Sequence, residues 1–183
     1  MTVIFLLANG FEETELIAPV DILRRAGANV ELISIEENLL VESSHGIKIE
    51  ADNFANQIDL NAIDAVVLPG GLRGTDRLSK SPKVEKIIRT AHDNGKFVGA
   101  ICAAPMVLGK LGLLEGKSFT CYPGIDNNIT DGLYTKKNIV HEDNIITAEA
   151  MGSSMEFGFK LTELLYGKEV EKRIRNEICY RDE

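Results

Sequence analysis

Short, continuous apolar runs alternate with amphipathic stretches along most of the chain. Continuous runs of this kind are typical of buried strands in a parallel sheet. They predict strands at residues 2–8, 30–35, 65–68, 96–101 and 145–148. Apolar residues at helical spacing predict helices at residues 12–26, 82–94, 106–114, 152–166 and 168–178. This alternation predicts βαβ units, and therefore a mostly parallel sheet covered by helices on both faces.

A few stretches depart from the simple alternation. Residues 38–50 alternate apolar and polar positions around a turn at residues 43–46, which predicts a β-hairpin. Residues 51–63 predict an irregular connection, and residues 117–142, rich in Gly, Asn and Asp, predict short strands and turns. Pro19 lies inside the first helical stretch and predicts a kink or a restart of that helix.

The order of the elements favours an α/β fold, a flavodoxin-like three-layer sandwich in which strand one lies beside strand three. The 183 residues fit a single domain spanning residues 1–183. In such sheets ligands bind beyond the carboxyl ends of the strands, where the strand order reverses. The functional residues are therefore expected at that edge.

Charge and cysteine content narrow the possible partners. The chain has 20 Lys and Arg against 28 Asp and Glu, a net charge of −8, which argues against nucleic acid or an anionic membrane as the main partner. Its three cysteines show no CxxC spacing and no Cys/His cluster, so we expect reduced thiols in the cytoplasm and no metal. Residues 1–8 are apolar but short and lack a basic start, so they predict a strand rather than a signal peptide. No apolar run reaches the length of a membrane span.

Cys102 stands where a strand turns sharply into a helix. The apolar residues 97–101 precede it, the small residues Ala103 and Ala104 follow, and a helical pattern begins at Met106. Such a corner strains the backbone and aims the side chain outward, beside free N–H groups and the positive end of a helix dipole. We therefore expect a nucleophilic thiolate with a lowered pKa. A free cysteine taken alone is more often a small core residue, and its neighbours at the same edge favour the functional interpretation.

Two further features fall at this sheet edge. Glu15, one turn into the first helix, is expected to face the sulfur as a neutral acid, with its pKa raised by burial and by the nearby anion. Glu12 and Glu13 have a simpler explanation as carboxylates that favour a helix N-terminus. Gly70 and Gly71 permit positive φ and close approach of backbone N–H groups to an oxyanion, although such a pair also occurs in ordinary turns. No phosphate-binding glycine pattern is present, so no nucleotide is expected.

Four stretches together form a specific combination of motifs: residues 10–15 (GFEETE), 19–27 (PVDILRRAG), 66–71 (VVLPGG) and 100–105 (AICAAP). With them the chain resembles the DJ-one/ThiJ/PfpI superfamily over essentially its full length, in the branch of the parkinsonism-associated protein. The resemblance implies a flavodoxin-like homodimer without a cofactor. It implies Cys102 as the nucleophile, Glu15 as its protonated partner, a backbone N–H of Gly71 near the sulfur, and Arg25 near the site or the dimer contact.

Some positions depart from the family pattern. Ala103 stands where protease-like members carry His, so a Cys–His protease is not expected. Tyr122 stands where the parkinsonism-associated member carries His, and His45 stands at an arginine position near the site. No role is assigned to Cys121. The residues assigned to oxyanion or substrate binding are Gly70, Gly71, Ala103, Tyr122, Arg25 and His45.

The resemblance implies two functions that share one site. The first is an enzyme of the glyoxalase III or deglycase type, in which Cys102 attacks a small 2-oxoaldehyde or its early glycation adduct. The second is a peroxide-sensing redox chaperone that uses the same cysteine without turnover. A glutaminase-like amidotransferase needs a downstream His–Glu pair, and the pair at residues 141–142 is wrongly placed for it. The first two hypotheses remain open on the sequence alone. The hairpin at residues 38–50 and the first helix are the expected dimer contacts.

Overall fold

A computed structural model describes residues 1–181 of the chain. Strands and helices alternate along most of this part. The first half contains β1 (Thr2–Leu7), α1 (Glu13–Arg25), β2 (Asn29–Ser34), β3 (Leu40–Glu42), β4 (Lys48–Glu50), β5 (Asn53–Phe54), β6 (Ala65–Leu68), α2 (Leu72–Ser79) and α3 (Pro82–Asp93). The second half contains β7 (Phe97–Ile101), α4 (Pro105–Lys110), β8 (Ser118–Phe119), β9 (Leu133–Tyr134), β10 (Ile139–Glu142), β11 (Ile145–Ala148), α5 (Ser154–Tyr166) and α6 (Lys168–Glu177).

A seven-stranded sheet has the order β10-β11-β7-β6-β1-β2-β5. All of its pairings are parallel except that of β10 with β11. Strand β1 lies beside β6, as predicted, and the fold is flavodoxin-like. The expectation of one domain over residues 1–183 stays a prediction, and residues 182 and 183 lie outside the described part.

The core has two apolar layers, one on each face of the sheet. Side chains of β1 alternate between them: Ile4 and Leu6 face α3 and α4, whereas Phe5 and Leu7 face α1 and α5. This alternation follows from the two-residue period of a strand. The predicted three layers are therefore confirmed. None of the helices within residues 1–181 combines the length and the apolar character needed to cross a lipid bilayer.

The hairpin prediction is confirmed, because β3 pairs with β4 in antiparallel register. The predicted restart at Pro19 is wrong: α1 runs from Glu13 to Arg25 without interruption. A proline inside a helix costs about 3 kcal/mol, and here the helix is held by packing against α5. At that contact a side chain on Gly158 would lie 2.9 Å from the Cα of Pro19.

Two helix predictions around the sheet edge need correction. The helix predicted for residues 106–114 ends at Lys110 and continues as turns, in which Gly112 has a φ of +75°. Helix α2 was not predicted at all, and it begins directly after Gly71. Helix α2 begins at the carboxyl edge of the sheet, directly after β6 and the Gly-Gly pair.

Candidate active site

Cys102 follows β7 and occupies a strained backbone conformation. Its φ is +64°, a left-handed value that is uncommon for a residue with a Cβ. Two backbone hydrogen bonds hold it there: its N–H donates to the Ala148 carbonyl at 3.0 Å, and its carbonyl accepts from the Tyr122 N–H at 2.9 Å. The predicted strained corner is therefore confirmed. The side chain is only partly buried, so the sulfur is not sealed in the core.

Glu15 extends from the first turn of α1 to the same point. The residue is 1% exposed, and its Oε2 accepts a hydrogen bond from the N–H of Gly70 at 2.9 Å. A Cβ on Gly70 would meet that oxygen at 2.4 Å and the Cβ of Cys102 at 2.6 Å. The absence of a side chain at Gly70 therefore lets the acid and the thiol face each other.

Two backbone N–H groups also interact with the sulfur. Those of Gly71 and Ala103 donate toward it and favour its ionised form. Gly71 has a φ of +84°, and a Cβ there would lie 2.4 Å from the carbonyl oxygen of Gly10. Both the conformation and the close approach therefore require glycine. Two such donors can also stabilise an oxyanion that forms on a carbon bonded to the sulfur.

Burial governs the protonation of Glu15 and Cys102. It raises the pKa of Glu15 to about 7, and the negative charge of Glu12 contributes to the same rise. Burial first, and then the charge of Glu15, raise the pKa of Cys102 to about 12, despite the two backbone donors. The raised pKa of Glu15 is as predicted. The predicted lowering of the thiol pKa is wrong, because removal of the sulfur from water outweighs the N–H groups around it.

The two groups titrate as a pair, since each shifts the other. Loss of one proton near pH 7 leaves a single negative charge, mostly on the Glu15 carboxylate, and the remaining proton mostly on the sulfur, because the thiol has the higher pKa. When that proton is on Glu15, the sulfur is a thiolate with a neutral acid and two N–H donors around it. The reactive form is thus a tautomer of the singly ionised pair.

Glu12 and Glu13 have the helix-terminal surroundings expected for them. Glu12 caps α1, because its Oε2 accepts from the N–H of Glu15 at 2.7 Å. Glu13 Oε1 lies 2.9 Å from His45 Nδ1, and the His45 side chain is 71% exposed. The ligand atoms of Glu12, Glu13 and His45 lie within 4.8 Å of one another, the one group in the described residues that could hold a metal ion. Exposed acidic groups commonly meet without one, and the expectation of no metal stays a prediction.

The remaining predicted residues divide into two groups. Ala103 and Tyr122 adjoin Cys102 through their backbones, and the Tyr122 ring is half-exposed at the rim.

Arg25 is not brought to the site of its own chain. It lies ten residues beyond Glu15 on α1, about 15 Å away at the helical rise, and its Nε pairs with Asp21 at 2.6 Å. The assignment of Arg25 to the substrate pocket of its own chain is therefore wrong. The expectation that Arg25 lies at a dimer contact stays a prediction.

The other two cysteines have different surroundings. Cys121 is fully buried, and burial raises the pKa of its thiol to about 12. Cys179 is exposed near the end of the described chain, with a φ of +56°. Neither combines exposure with an acid partner, so Cys102 has a distinct environment among the three.

Sequence reasoning missed the cleft beside the site. It has a volume of about 630 Å³ and lies between the loop after β1, the hairpin and α2. Leu72 and Arg73 line it, and both belong to the helix that was not predicted. The available signal was the eight-residue stretch after the Gly-Gly pair, whose Thr75 and Leu78 are spaced for one buried helical face.

Comparison with known proteins gives a consistent result. The sequence profile of the DJ-1/PfpI family matches residues 1–164. Protein dj-1beta of Drosophila melanogaster is 37% identical over 166 residues, which cover 90% of this chain and 89% of that protein. The glutathione-independent glyoxalase DJR-1.2 of Caenorhabditis elegans is 30% identical over 170 residues, 92% of this chain and 90% of that protein.

Solved structures show the same similarity. Drosophila melanogaster DJ-1beta superposes with a TM-score of 0.95 at 34% identity, covering 99% of this chain and 98% of the other. The oxidized form of Toxoplasma gondii DJ-1 superposes with a TM-score of 0.94 at 32% identity, covering 99% of both chains. Two Arabidopsis thaliana relatives are longer: the chain spans 37% of DJ-1 homolog B and 47% of DJ-1 homolog A.

Proposed function

The chain belongs to the DJ-1/PfpI family, in its DJ-1 branch, and from this premise we propose that it is a cysteine-dependent enzyme acting on 2-oxoaldehydes or their early glycation adducts. The observation that carries the proposal is the meeting of Cys102 with Glu15 and the backbone N–H groups of Gly71 and Ala103. The glyoxalase name of the Caenorhabditis elegans relative supports this reaction class. Reduced thiols of this kind suit the cytoplasm.

The first step forms a carbon–sulfur bond. The thiolate of Cys102 attacks the aldehyde carbon of methylglyoxal, and the carbonyl electron pair moves to oxygen. The N–H groups of Gly71 and Ala103 stabilise the oxyanion, and the neutral Glu15 gives it a proton. The product is a hemithioacetal, and Glu15 is left ionised, as its pKa of about 7 permits.

The second step is an internal oxidation and reduction. The ionised Glu15 removes the hydrogen on the former aldehyde carbon as a proton, and the electron pair forms an enediolate whose charge lies on the neighbouring oxygen. Glu15 returns that proton to the neighbouring carbon, while the hydroxyl proton of the first carbon passes to the oxygen of the second. The first carbon is thereby oxidised to a thioester and the second is reduced to an alcohol, so no outside oxidant or reductant is needed.

The last step releases the product. Water adds to the thioester, the carbon–sulfur bond breaks, and lactate leaves with regeneration of the Cys102 thiol. For an adduct, the sulfur of Cys102 replaces the amine or thiol carrier on the same carbon, and the carrier leaves with the proton of Glu15. In sum, one methylglyoxal and one water give one lactic acid.

The test is lactate formation from methylglyoxal by the native protein and by Cys102→Ser, Glu15→Gln and Cys179→Ser. We expect losses of at least about 100-fold for the first two variants. Cys179→Ser serves as the matched control, because it removes an exposed thiol outside the site, and it retains native activity. Equal rates from all four proteins would refute the proposal.

A redox sensor is the second candidate. The favouring observation is that the partly buried sulfur has an acid and two N–H donors ready for oxygen atoms bonded to it. The solved Toxoplasma gondii relative is an oxidized protein. Peroxide would transfer one oxygen to the Cys102 thiolate and leave as water. Mass spectrometry after mild peroxide tests this, since oxidation confined to Cys121 or Cys179 would exclude it.

A homodimer is the proposed assembly. Ile17 on α1 and Ile47 at the hairpin turn are exposed apolar residues, and a surface depression between α1 and Ile49 of β4 joins the two elements. Exposed apolar residues grouped in this way are typical of an interface. The mass in solution tests the proposal: Ile17→Asp should convert a dimer to a monomer, and a monomeric native protein would overturn it.

A further inference from the structure

The cleft beside the catalytic residues has no role in the reaction derived above. Its volume of about 630 Å³ falls in the range of small-molecule sites. Asn9 and Gly10 form one wall, Ser43 of the hairpin another, and Leu72 and Arg73 of α2 a third. Because Leu72 follows Gly71 directly, this wall continues from the N–H that faces the sulfur.

Most charges around the cleft are already paired. Arg77 binds Glu36 through two hydrogen bonds of 2.7 and 2.5 Å. Asp76 pairs with Lys80 at 2.7 Å, and Glu42 lies 3.8 Å from Lys48. Arg73 is the exception, because within residues 1–181 it makes no ion pair and no side-chain hydrogen bond. In a chain of net charge −8 the cleft thus presents one uncompensated cation.

Backbone contacts fix the position from which Arg73 extends. A Cβ on Gly10 would lie 2.7 Å from the Cβ of Arg73, so α2 packs directly on the loop after β1. The N–H of Gly74 donates to the Gly10 carbonyl at 3.2 Å, and Ser44 Oγ donates to the same oxygen at 2.8 Å. The wall is therefore held in place before a ligand arrives, which reduces the entropy lost on binding.

We propose that this cleft binds an anionic group on the carrier of the reactive carbonyl, with Arg73 as the residue that recognises it. A guanidinium offers paired donors that match a carboxylate or a phosphate. Free methylglyoxal has no charge and is far smaller than the cleft. The preferred substrate is accordingly an adduct of a 2-oxoaldehyde with a carboxylate- or phosphate-bearing amine or thiol. This inference rests on the proposed function.

The first experiment compares methylglyoxal hemithioacetals of three thiols of similar size: 3-mercaptopropionate, 2-mercaptoethanol and thiocholine, whose quaternary ammonium cannot cyclise onto the carbonyl carbon. At equal hemithioacetal concentrations, the native protein should show kcat/KM about tenfold higher for the anionic carrier than for the neutral one, and lowest for the cationic one. Arg73→Leu should bring the three values within about twofold. Arg89→Leu is the matched control: it removes an exposed arginine on α3 that pairs with Glu85, and it retains the native ratio. Equal kcat/KM for the three carriers in an active native protein would overturn the inference.

The second experiment separates this inference from the proposed function. Calorimetric titration of Cys102→Ser with succinate and with inorganic phosphate measures binding without turnover, and the two probes distinguish a carboxylate from a phosphate. We expect one of them to bind about tenfold more weakly when Arg73→Leu is added, and binding to weaken as salt is raised. Absence of lactate with intact anion binding would overturn only the function. Absence of binding of both probes, or equal binding with and without Arg73, would overturn the cleft assignment.

Discussion

The carboxyl of Glu15 and the side chain of Cys102 meet above Gly70, at a point where a single methyl group would collide with both. The acid comes from the first helix and the thiol from the end of β7, so the sheet edge brings them together. Each shifts the pKa of the other, and the thiol is reactive only when the shared proton is on the carboxyl.

The direction in which Glu15→Gln moves the thiol titration tests this coupling. In the native protein we expect the rate of Cys102 alkylation to rise with an inflection near pH 7, where the pair loses its first proton. An amide is a weaker donor than a carboxylic acid, so Glu15→Gln should move the inflection to higher pH. If Glu15 acts only as a repelling carboxylate, the same variant should move it to lower pH. Iodoacetamide labelling followed by mass spectrometry distinguishes the two outcomes.

Gly70→Ala should force the side chains of Glu15 and Cys102 apart. Its Cβ would lie 2.4 Å from Glu15 Oε2 and 2.6 Å from the Cβ of Cys102, so both side chains must move. We expect at least about 100-fold loss of activity and destabilisation on the order of 1–3 kcal/mol, measured by turnover and urea unfolding. Gly152→Ala is the control, because nothing lies within 4 Å of its Cβ position and its φ is not positive. Native behaviour of Gly70→Ala would contradict the described geometry.

Stability should depend on pH through Glu15. Its folded pKa, about 7, lies above its ordinary value of 4.5. Between those values the folded chain binds more protons than the unfolded one, so stability falls as pH rises through that window. The shift corresponds to a loss on the order of 3 kcal/mol. Glu15→Gln should remove this slope in urea unfolding measured between about pH 5 and pH 7, and an unchanged slope would assign it to other groups.

Arg175 should anchor the last helix. It binds Glu156 at 2.7 Å and pairs with Glu171, and its guanidinium lies 4.1 Å from the centre of the Phe159 ring. Arg175→Met should destabilise the chain by about 1–3 kcal/mol in thermal unfolding, because it leaves two carboxylates without their cation. Arg173→Met, which breaks an exposed pair, should change little.

The loss of folding stability at acid pH gives a further check on the role of Arg175. The guanidinium holds the pKa of Glu156 below its ordinary value. Stability from this pair is therefore present above the ordinary carboxyl pKa and is lost as pH falls through the lowered one. Arg175→Met should weaken that acid-side loss, and an equally steep loss in the variant would show that other carboxylates cause it.

The sequence was most informative where local chemistry and the sheet edge agreed. The continuous apolar runs show where each strand ends, so the sequence alone predicts that Cys102, Glu15 and the Gly-Gly pair lie together at the sheet edge. The corner at Cys102 followed from an apolar strand that meets small residues and then a helical pattern. These features depend on short-range patterns, which a single sequence displays directly.

Features that depend on the three-dimensional surroundings of a residue were harder to predict from the sequence. The thiol pKa was predicted in the wrong direction, because the sequence displays a helix terminus but not how much water the sulfur loses. Arg25 was placed by its motif, although the length of α1 carries it to the other end of the helix. Helix α2 was missed, because it is short and contains Gly74, a residue that weakens a helical pattern.

The main-chain bonds at Cys102 have a consequence for how this site can diversify. The N–H and the carbonyl of Cys102 are held by backbone atoms of Ala148 and Tyr122, and the sulfur faces backbone donors. Replacing the side chain at Tyr122 would therefore reshape the entrance without displacing the nucleophile. The contacts that hold the sulfur and the side chain at the rim are therefore separate, so the rim can change shape while the sulfur keeps its place.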